Sequence, residues 1–513
     1  MKIDNLLLTL IGANSLGIPL ANAQSVSQKQ RPNVVFVYAD DMGRGMLSHY
    51  GQQIITTPNI DRLFAQGTSF ENAYGCMFSA PARASMLTGY NDCRHDKWFI
   101  EKGGLFRTSD IKNVIDSVEA KINSREVKLA PEDLLLPQVF KKAGYVTGEI
   151  GKLDWGFTVT RQEIKAHGWD YYYGYLDHVR CHGYYPPFLF ENGEIVPIEG
   201  NTHVDCAKAY ETETPENYKK RWDMTGKAVY SQHLFIEKAV QFIRDNKNHP
   251  FFLYHPTQLP HGPVAIPAVD PEIKNNPNLS EIEKEYASMV KMLDDNVGVL
   301  VAELDSLGIL ENTIFIFSAD NGHETYYTTG NRCRKAPERD TAGKRFDAWN
   351  YPYTSERAGD VFNGNDGFTG KKWSNLEGGV RVPLVFSWPN KIRTANQSNQ
   401  LVSNYDLITT FADLLGVDLP VKKDGVSIVP ILLDKQDKLT DMRYVYVNSP
   451  IGPAVIDSEG WKMLYNKKLK IARLFYLPQD ERELVNEMGK HPEVEKRLMN
   501  QVKKILNYSK EKK

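Results

Sequence analysis

The chain of 513 residues contains few cysteines and almost no net charge. None of its five cysteines has the C-x-x-C spacing of a metal site, and an odd number leaves at least one thiol unpaired. The formal net charge is −2, so no global field attracts nucleic acid or an acidic membrane. An anionic ligand would therefore have to meet positive charge that is concentrated locally.

Long apolar runs are also missing after the N-terminus, so no later stretch predicts a membrane span. The first residues combine Lys2, a mostly apolar stretch over residues 6–20 and an A-x-A cleavage site at Ala21–Ala23. This pattern predicts an export signal over residues 1–23. The apolar stretch is short and interrupted by polar residues and a proline, which disfavours the alternatives of a membrane anchor or an N-terminal helix.

Continuous apolar runs alternate with helix-like stretches along the chain. Such runs are typical of strands buried on both faces, and they occur at 33–39, 251–254, 313–318 and 382–386. Helical spacing of apolar residues predicts helices at 136–143, 230–245 and 280–307. The alternation predicts an α/β fold with a mostly parallel central sheet flanked by helices.

The pattern changes twice in the second half of the chain. Residues 324–376 are polar, aromatic and irregular, which in a compact domain usually indicates function, although a disordered insertion is the alternative. After a helix at 406–415, strand patterns at 444–447 and 461–465 precede a charged helix at 492–506. We therefore predict a main domain over 24–435 and a small C-terminal α+β domain, a sheet with a helix, over 436–513.

Two of the predicted strands end in oxygen-bearing side chains. Asp40 and Asp41 follow the first strand, and Asp320 and Asn321 follow the third. Ligands of open α/β sheets bind at the carboxyl ends of strands, and oxygen atoms suit a hard cation such as Ca²⁺ or Mg²⁺. Either pair alone could cap a helix, but the two pairs together favour a metal site.

The segment Ser79-Ala-Pro-Ala-Arg83-Ala-Ser-Met-Leu-Thr-Gly89 carries the most specific pattern. It resembles the signature of the formylglycine-dependent sulfatases, in which Pro follows a Cys or Ser by two positions, Arg follows by four, and Leu-Thr-Gly comes later. Cys76 has Phe78 and Ala80 at the corresponding positions, so Ser79 alone is in register. A Pro-containing loop that leads into a helix would not explain so many matched positions.

Further segments, among them Thr57–Leu63, Phe70–Tyr74 and Glu377–Pro383, extend the resemblance over residues 31–430. The resemblance implies an alkaline-phosphatase-like α/β domain with a small C-terminal domain. It also implies an enzyme that hydrolyses a sulfate ester on a carbohydrate, exported to the periplasm or secreted by a Gram-negative bacterium.

In this family one hydroxyl of the hydrated formylglycine attacks sulfur, and the other then expels sulfate and restores the aldehyde. The resemblance implies that Ser79 carries this modification. It further implies one bound Ca²⁺, held by a set of oxygen ligands that comprises Asp40, Asp41, the modified Ser79, Asp320 and Asn321.

The resemblance also assigns roles to basic residues. Arg83 would steady the diol, and Lys152 and Lys372 would bind the sulfate oxygens and stabilise charge in the transition state. His261 would protonate the leaving sugar oxygen.

Two of these assignments depend on details of the pattern. Lys372 is preferred to Lys371 because it lies five positions before Glu377, the family spacing. Many family members read Gly-Lys-Trp-His, whereas this chain reads Gly-Lys-Leu-Asp at 151–154. Asp154 could replace the missing His as the base for sulfate release, or another group could.

An aromatic region over residues 168–201 is similar to a subgroup of bacterial sulfatases that act on galactose or N-acetylgalactosamine. His182, just before the segment Gly-Tyr-Tyr-Pro, is the candidate for binding the sugar. Arg180, two positions earlier and a departure from the subgroup, is a further candidate substrate-binding residue. His323, directly after the Asp-Asn-Gly segment, is a candidate for contact with sulfate or sugar. The alternative for the region is a structural loop rich in aromatic residues.

With Ser at the modified position, the chain resembles the sulfatases that a radical-SAM maturating enzyme converts before export. The resemblance therefore implies two partners, this maturating enzyme and the sulfated glycan substrate. Two other functions stay open. A phosphate mono- or diesterase of the same superfold would usually need a second metal, for which further His and Asp ligands are not evident. A non-catalytic sulfated-glycan-binding relative is kept open by Asp154.

Overall fold

The computed structural model describes most of the chain, with gaps. The described residues are 31–94, 97, 130–153, 160–177, 180–202, 212–327, 339–433, 439, 441–470 and 472–508. The predicted export signal, Asp154, Cys206 and Cys333 lie outside them. Within the described part of the chain, no helix is both long and apolar enough to cross a bilayer.

The main structural unit is built on one ten-stranded sheet with the order β10-β2-β9-β8-β1-β7-β3-β4-β5-β6. Its strands are β1 (Asn33–Ala39), β2 (Gly67–Tyr74), β3 (Val146–Gly151), β4 (Tyr171–Gly174), β5 (Phe188–Glu191), β6 (Glu194–Pro197), β7 (Phe251–Pro256), β8 (Thr313–Ala319), β9 (Leu384–Ser387) and β10 (Asn396–Ser403). The central strands β8, β1, β7, β3 and β4 are parallel to one another. The predicted α/β class with a mostly parallel sheet is confirmed, with β9 and the β5–β6 end antiparallel.

Helices cover the sheet and join its strands. They are α1 (Pro58–Gln66), α2 (Ser79–Thr88), α3 (Leu136–Lys142), α4 (Arg161–Ala166), α5 (Pro215–Arg221), α6 (Ser231–Asn246), α7 (Pro271–Lys274), α8 (Glu281–Ser306), α9 (Glu377–Val380), α10 (Leu407–Leu415), α11 (Val429–Leu432) and α12 (Pro492–Tyr508). Short 3-10 turns occupy Arg44–Met46, Ser48–Tyr50, Arg180–His182, Leu310–Asn312, Ser355–Ala358 and Asn404–Asp406. The helices predicted at 136–143, 230–245 and 280–307 are therefore present, each with ends within one residue of the prediction.

Helix α8 shows why the apolar pattern gives this architecture. The backbone N–H of Ser280, which directly precedes the helix, donates to the side chain of Glu283 at 2.8 Å, as in one half of a capping box. The predicted apolar stripe, from Met289 to Leu304, is buried against the rest of the core. Each fully buried large apolar side chain contributes about 1.5–3 kcal/mol, so the stripe fixes which face of the helix meets the sheet.

The register of β1 and β8 determines where the polar strand ends meet. The two strands run parallel, and Ala39 pairs with Ala319. The next residues, Asp40 and Asp320, therefore leave the same edge of the sheet side by side. The backbone N–H of Asp320 donates to the carbonyl oxygen of Ala39 at 3.1 Å, which holds the two chain turns together.

A second sheet lies within the predicted C-terminal domain. It is antiparallel with the order β11-β12-β13-β14, formed by Tyr444–Val447, Ala454–Asp457, Trp461–Tyr465 and Ala472–Tyr476. Helix α12 packs on it through Leu498 and Val502. The predicted α+β character of the C-terminal region is confirmed.

A buried ionic cluster joins this small sheet to α9. The Nζ of Lys462 on β13 lies 2.7 Å from a carboxylate oxygen of Glu377 and 2.9 Å from one of Glu483. The backbone N–H of Glu377 donates to Glu483 at 2.7 Å, and Tyr74 on β2 donates to Glu377 at 2.9 Å. Removing one partner of such a buried set is strongly destabilising, so the cluster ties the two sheets together.

The irregular segment 324–376 is exposed over residues 341–345, but other described parts of it enter the interior. Tyr326, Tyr327 and Phe362 are almost completely buried, and Asp360 and Lys372 are below 10% exposed. The predicted functional character of this segment therefore has a structural basis, because it brings charged and aromatic side chains into the interior.

Candidate active site

The carboxyl ends of β1 and β8 place a cluster of oxygen atoms in the interior. Asp40, Asp41, Asp320 and Asn321 each have an exposed fraction of 0%. Asp320 accepts a hydrogen bond from the backbone N–H of Asp41 at 3.0 Å, and the side-chain amide of Asn321 donates to Asp41 at 2.8 Å. Asp41 adopts a positive φ of 60°, a conformation that Asp tolerates better than most residues. The structure thus brings together these four predicted metal ligands.

Unsatisfied oxygen atoms indicate what this cluster can hold. In the described structure the Oδ1 atoms of Asp40 and Asn321 are buried and have no hydrogen-bond partner. A buried acceptor without a partner is costly, and coordination to a cation would remove that cost. Carboxylate and amide oxygens are the ligands that Ca²⁺ prefers, so the residues present fit the ion that the sequence predicts.

The charge balance of the cluster supports the same conclusion. Burial and the neighbouring charge of Asp40 raise the pKa of Asp320. Burial alone would also raise the pKa of Asp40, but the surrounding positive groups, Lys152 foremost, together outweigh it and hold that pKa low. Three carboxylates that share one enclosed space repel each other, and a divalent cation between them would stabilise all three in the charged form.

Ser79 is the first residue of α2 and lies beside this cluster. Its Oγ accepts hydrogen bonds from the Nζ of Lys152 at 2.7 Å and from the Nε of Arg83 at 3.2 Å. Lys152 also contacts Asp40, and Arg83 donates to Asp320 at 3.2 Å. Two cations and a helix N-terminus therefore surround the oxygen atom that the sequence predicts as the nucleophile, which favours an anion at this position.

Lys372 and His261 lie beside Asp41. The Nζ of Lys372 lies 2.6 Å from Asp41 and 3.3 Å from the Nε2 of His261. Burial lowers the pKa of His261 to about 3, so its imidazole is neutral at pH 7 without a bound anion. An anionic group at this position would favour the protonated form that a general acid needs. One oxygen of Asp40, one of Asp41 and one nitrogen of His261 lie within 4.8 Å of one another, so His261 also borders the cation position.

The structure separates the two neighbouring lysines that the sequence had to choose between. Lys372 is 7% exposed and points to Asp41, whereas Lys371 lies 5.7 Å from the ring centroid of Phe346. The family spacing thus selected the lysine that is in the site.

The predicted sugar-binding residues occupy different surroundings. The ring of His182 stacks on that of His261, which places it in the site. The Nε2 of His323 is hydrogen-bonded to the hydroxyl of Tyr327 at 2.7 Å, and this hydroxyl donates to Asp360 at 2.8 Å. The guanidinium carbon of Arg180 lies 4.3 Å from the ring centroid of Phe188, and Arg180 is 4% exposed. Substrate contact of His323 and Arg180 stays a prediction.

Sequence reasoning missed two tyrosines. The hydroxyl of Tyr326 donates to Asp41, and that of Tyr254 accepts a hydrogen bond from Arg83 at 3.3 Å. Tyr254 lies in an apolar strand, so the sequence gives no sign that its hydroxyl has a polar partner. No spacing distinguishes Tyr326 from the adjacent Tyr327. Only the three-dimensional neighbours reveal these contacts.

This arrangement, a buried hydroxyl among cations beside a cluster of oxygen atoms that fits a cation, is typical of hydrolases of anionic esters. The model of the sulfatase family matches residues 32–417. A second model, the C-terminal region of N-sulphoglucosamine sulphohydrolase, matches residues 364–512. The chain belongs to the sulfatase family and is a sulfuric ester hydrolase.

Relatives with assigned names are similar over most of the chain. Human N-acetylgalactosamine-6-sulfatase is 29% identical over 423 residues, 81% of this chain and 68% of that protein. The N-acetylgalactosamine-6-O-sulfatase of Bacteroides thetaiotaomicron is 27% identical over 533 aligned positions, 91% of this chain and 92% of that protein. A solved structure from work on the metabolism of multiple glycosaminoglycans by Bacteroides thetaiotaomicron has a TM-score of 0.68 at 24% identity, and the match covers 93% of this chain and 100% of that one. That likeness supports the alkaline-phosphatase-like fold.

Proposed function

We propose that this protein is an exported sulfatase that removes sulfate from a galactose- or N-acetylgalactosamine-type glycan. It would do so with a formylglycine made from Ser79 and one bound Ca²⁺. The observation that carries the proposal is the position of the Ser79 Oγ, within hydrogen-bond distance of both Lys152 and Arg83. The names of the relatives support the sugar class.

The positive side chains would bind and orient the sulfate group. Lys152 contacts Asp40, and Lys372 contacts the adjacent Asp41. Both are almost completely buried, so their charges act in a water-poor space where they stabilise developing negative charge more strongly than in bulk water. Arg83, fixed by Asp320 and Tyr254, would hold the nucleophile in one orientation.

Asp40, Asp41, Asp320 and Asn321 would hold the cation, which supplies Lewis-acid stabilisation of the sulfate oxygens when bound. The modification of Ser79 would supply a hydrated aldehyde, a nucleophile with its own route for sulfate release. His261, which already lies 3.3 Å from Lys372, would deliver a proton to the leaving sugar oxygen once the anionic substrate favours its charged form. Asp154, which lies outside the described residues, stays a candidate base for sulfate release, with another group as the alternative.

Maturation and location follow from the same proposal. A radical-SAM maturating enzyme would convert Ser79 before export, and the signal at residues 1–23 would direct the mature enzyme to the periplasm or the medium. The partner on the substrate side is a sulfated glycan.

Peptide mass spectrometry across Ser79 tests the proposal. Protein matured in an anaerobic host with the maturating enzyme should show the loss of one hydrogen molecule at Ser79, and calcium-dependent release of sulfate from a 6-sulfated galacto-configured sugar. A second sulfatase of the Ser type, expressed in the same cells, serves as the maturation control. If that control is modified and Ser79 stays intact, the formylglycine mechanism is wrong for this chain, and an unmodified phosphoesterase or a binding protein becomes the better description.

A further inference from the structure

The loop that carries Lys372 also places a tryptophan at the edge of the site. Trp373 is 42% exposed, and it is the only exposed tryptophan in the described part of the chain. Its ring stacks on that of Phe78, with the centroids 4.2 Å apart and the planes inclined by 25°. Phe78 directly precedes Ser79, and the Nζ of Lys372 lies 6.0 Å from the Trp373 ring centroid. The aromatic pair therefore borders both the nucleophile and a sulfate-binding lysine.

The backbone holds this tryptophan in an unfavourable conformation. Trp373 has a φ of 75°, which bulky residues rarely adopt. Its N–H donates to the carbonyl oxygen of Met77 at 2.7 Å, and the N–H of Lys372 donates to that of His323 at 3.2 Å. Strained residues persist where their surroundings fix them, and they cluster at functional sites. Here the strained turn directs Lys372 into the site and leaves the next side chain at the surface.

An exposed indole also has an energetic cost. Each square ångström of apolar surface left in water forgoes about 25 cal/mol of burial energy. A single exposed apolar side chain is ordinary on a protein surface, but aromatic side chains beside a few convergent polar groups are typical of ligand-binding sites. A pyranose ring has a face of C–H groups that can cover a flat aromatic ring, while its hydroxyl groups stay in water. The pair of stacked rings is rigid, so ordering it on binding costs little entropy.

We propose that Trp373 and Phe78 form a stacking platform for the sugar ring next to the sulfated residue of a glycan chain. The inference rests on the proposed function, because the sulfate held by Lys152 and Lys372 determines where the chain leaves the site. Sulfate bound at Lys372 places its sugar within one ring length of the indole. In this proposal the neighbouring ring of an oligosaccharide covers the platform, and a monosaccharide substrate leaves it uncovered.

Kinetics on two substrates test the platform. Trp373→Gly removes the ring and suits the positive φ, and Trp373→Phe keeps an aromatic face. For a sulfated galacto-configured tetrasaccharide, Trp373→Gly should raise KM at least about 10-fold, the loss expected for one aromatic contact. The change in KM for the corresponding sulfated monosaccharide should stay within about 3-fold, and kcat should change little for either substrate. Trp373→Phe should recover most of the loss.

Trp461 offers a matched control. It forms a comparable aromatic pair with Tyr476, with ring centroids 4.7 Å apart, in the C-terminal sheet. Trp461→Gly should not discriminate between the two substrates. An equal loss of Trp373→Gly on tetrasaccharide and monosaccharide would overturn the platform, since it would mean that the ring only supports Lys372. The absence of any loss would overturn it as well.

Binding separates failure of the platform from failure of the function. Calorimetric titration of the tetrasaccharide into Ser79→Ala protein, with and without Trp373→Gly, requires no turnover. If the wild-type protein releases no sulfate but Trp373→Gly weakens tetrasaccharide binding by about 10-fold, the platform stands and the proposed activity fails. If the tetrasaccharide does not bind to the Ser79→Ala protein, or binds equally with and without the indole, the platform is wrong.

Discussion

The ring of His182 lies face to face with the ring of His261, with centroids 4.0 Å apart and planes inclined by 2°. His261 is the group proposed to protonate the leaving sugar oxygen. Because the imidazole of His182 stacks on His261, it is close enough to contact the same sugar. His182 belongs to the 3-10 turn Arg180–His182, which is far from His261 in the sequence.

We predict that His182→Ala lowers kcat/KM for a galacto-configured substrate by about 10- to 100-fold, the cost of one lost polar contact to the substrate. A gluco-configured sulfate should lose much less. His182→Phe keeps the stacking on His261 but not the polar nitrogen atoms, and the exposed His233→Ala is the control for loss of a histidine elsewhere. Equal losses on all sulfated sugars, or full activity of His182→Phe, would contradict a role in specificity.

Ser79→Ala should abolish sulfate release without unfolding the protein. The Oγ of Ser79 only accepts hydrogen bonds from Lys152 and Arg83, and both cations keep their carboxylate partners when it is removed. Thermal unfolding should shift by only a few degrees, as expected for about 1 kcal/mol. Ser85, buried in the same helix and 3.7 Å from the sulfur of Cys76, is the control whose alanine variant should keep turning over. Residual turnover of Ser79→Ala above the background rate would refute the nucleophile.

The adjacent lysines provide a matched pair. Lys372→Met should lower kcat by about 100- to 1,000-fold, because it removes a buried charge aimed at the transition state. Lys371→Met changes the same chemical group one residue away, beside Phe346, and should stay within about 3-fold of the wild-type rate, because it is a change outside the site. Steady-state kinetics on one sulfated sugar decides the matter. Similar losses in the two variants would mean that the loop, not the Lys372 charge, is what matters.

Calcium should stabilise the folded protein by mass action. A site-specific ion present at 100 times its Kd adds about 2.7 kcal/mol to the free energy of unfolding, so the unfolding temperature should rise when Ca²⁺ is added after chelation. Asn321→Ala removes an unsatisfied buried oxygen and should reduce this rise. Asp92→Asn, a buried carboxyl outside the site, should not. A calcium-induced rise that Asn321→Ala leaves intact would place the ion elsewhere.

Asp92 also predicts a pH dependence of stability. Burial raises its pKa from 3.8 to about 7, so the folded state binds a proton that the unfolded state has already released. This contribution to stability is fully present below pH 3.8 and is lost as the pH rises to about 7, with an upper limit of about 4 kcal/mol at 1.36 kcal/mol per pKa unit.

Urea unfolding at pH 5 and pH 8 measures this effect. Asp92→Asn should gain stability relative to the wild-type protein at pH 8 and gain less at pH 5. Asp418→Asn, at an exposed position, should show no such difference. A pH profile of Asp92→Asn that parallels the wild-type profile would mean that the Asp92 carboxyl does not titrate in this range.

The fold could be predicted from the sequence where the burial of apolar side chains alone determines the element. The apolar run at 33–39 is completely buried as β1, and burial on both faces leaves no alternating pattern to misread. Strand β10 at 396–403 was not predicted, because its residues are mostly polar and it lies at the sheet edge. A polar edge strand has little apolar signal, and its pairing with β2 depends on neighbours more than 300 residues away.

The site shows the same division. Asp40, Asp41, Asp320 and Asn321 could be identified because strand ends fix backbone positions. The contact of Trp373 with Phe78 could not, because it arises from a positive φ and from packing between distant loops. Neither the positive φ nor the packing between loops can be recognised from the spacing of residues in the sequence. The same holds for Tyr326, whose role depends on the fold of an irregular segment.

The Lys462–Glu377–Glu483 cluster has a consequence for how such chains can recombine. Glu377 stands five residues after Lys372, and its buried charge is balanced from the small C-terminal sheet. A hybrid whose foreign C-terminal part lacked a lysine at the position of Lys462 would leave the buried Glu377 with Arg381 as its remaining cation, next to the loop that holds Lys372. We therefore expect α9 and the C-terminal sheet to be inherited together. A hybrid of two related sulfatases should fold best when its junction lies before α9.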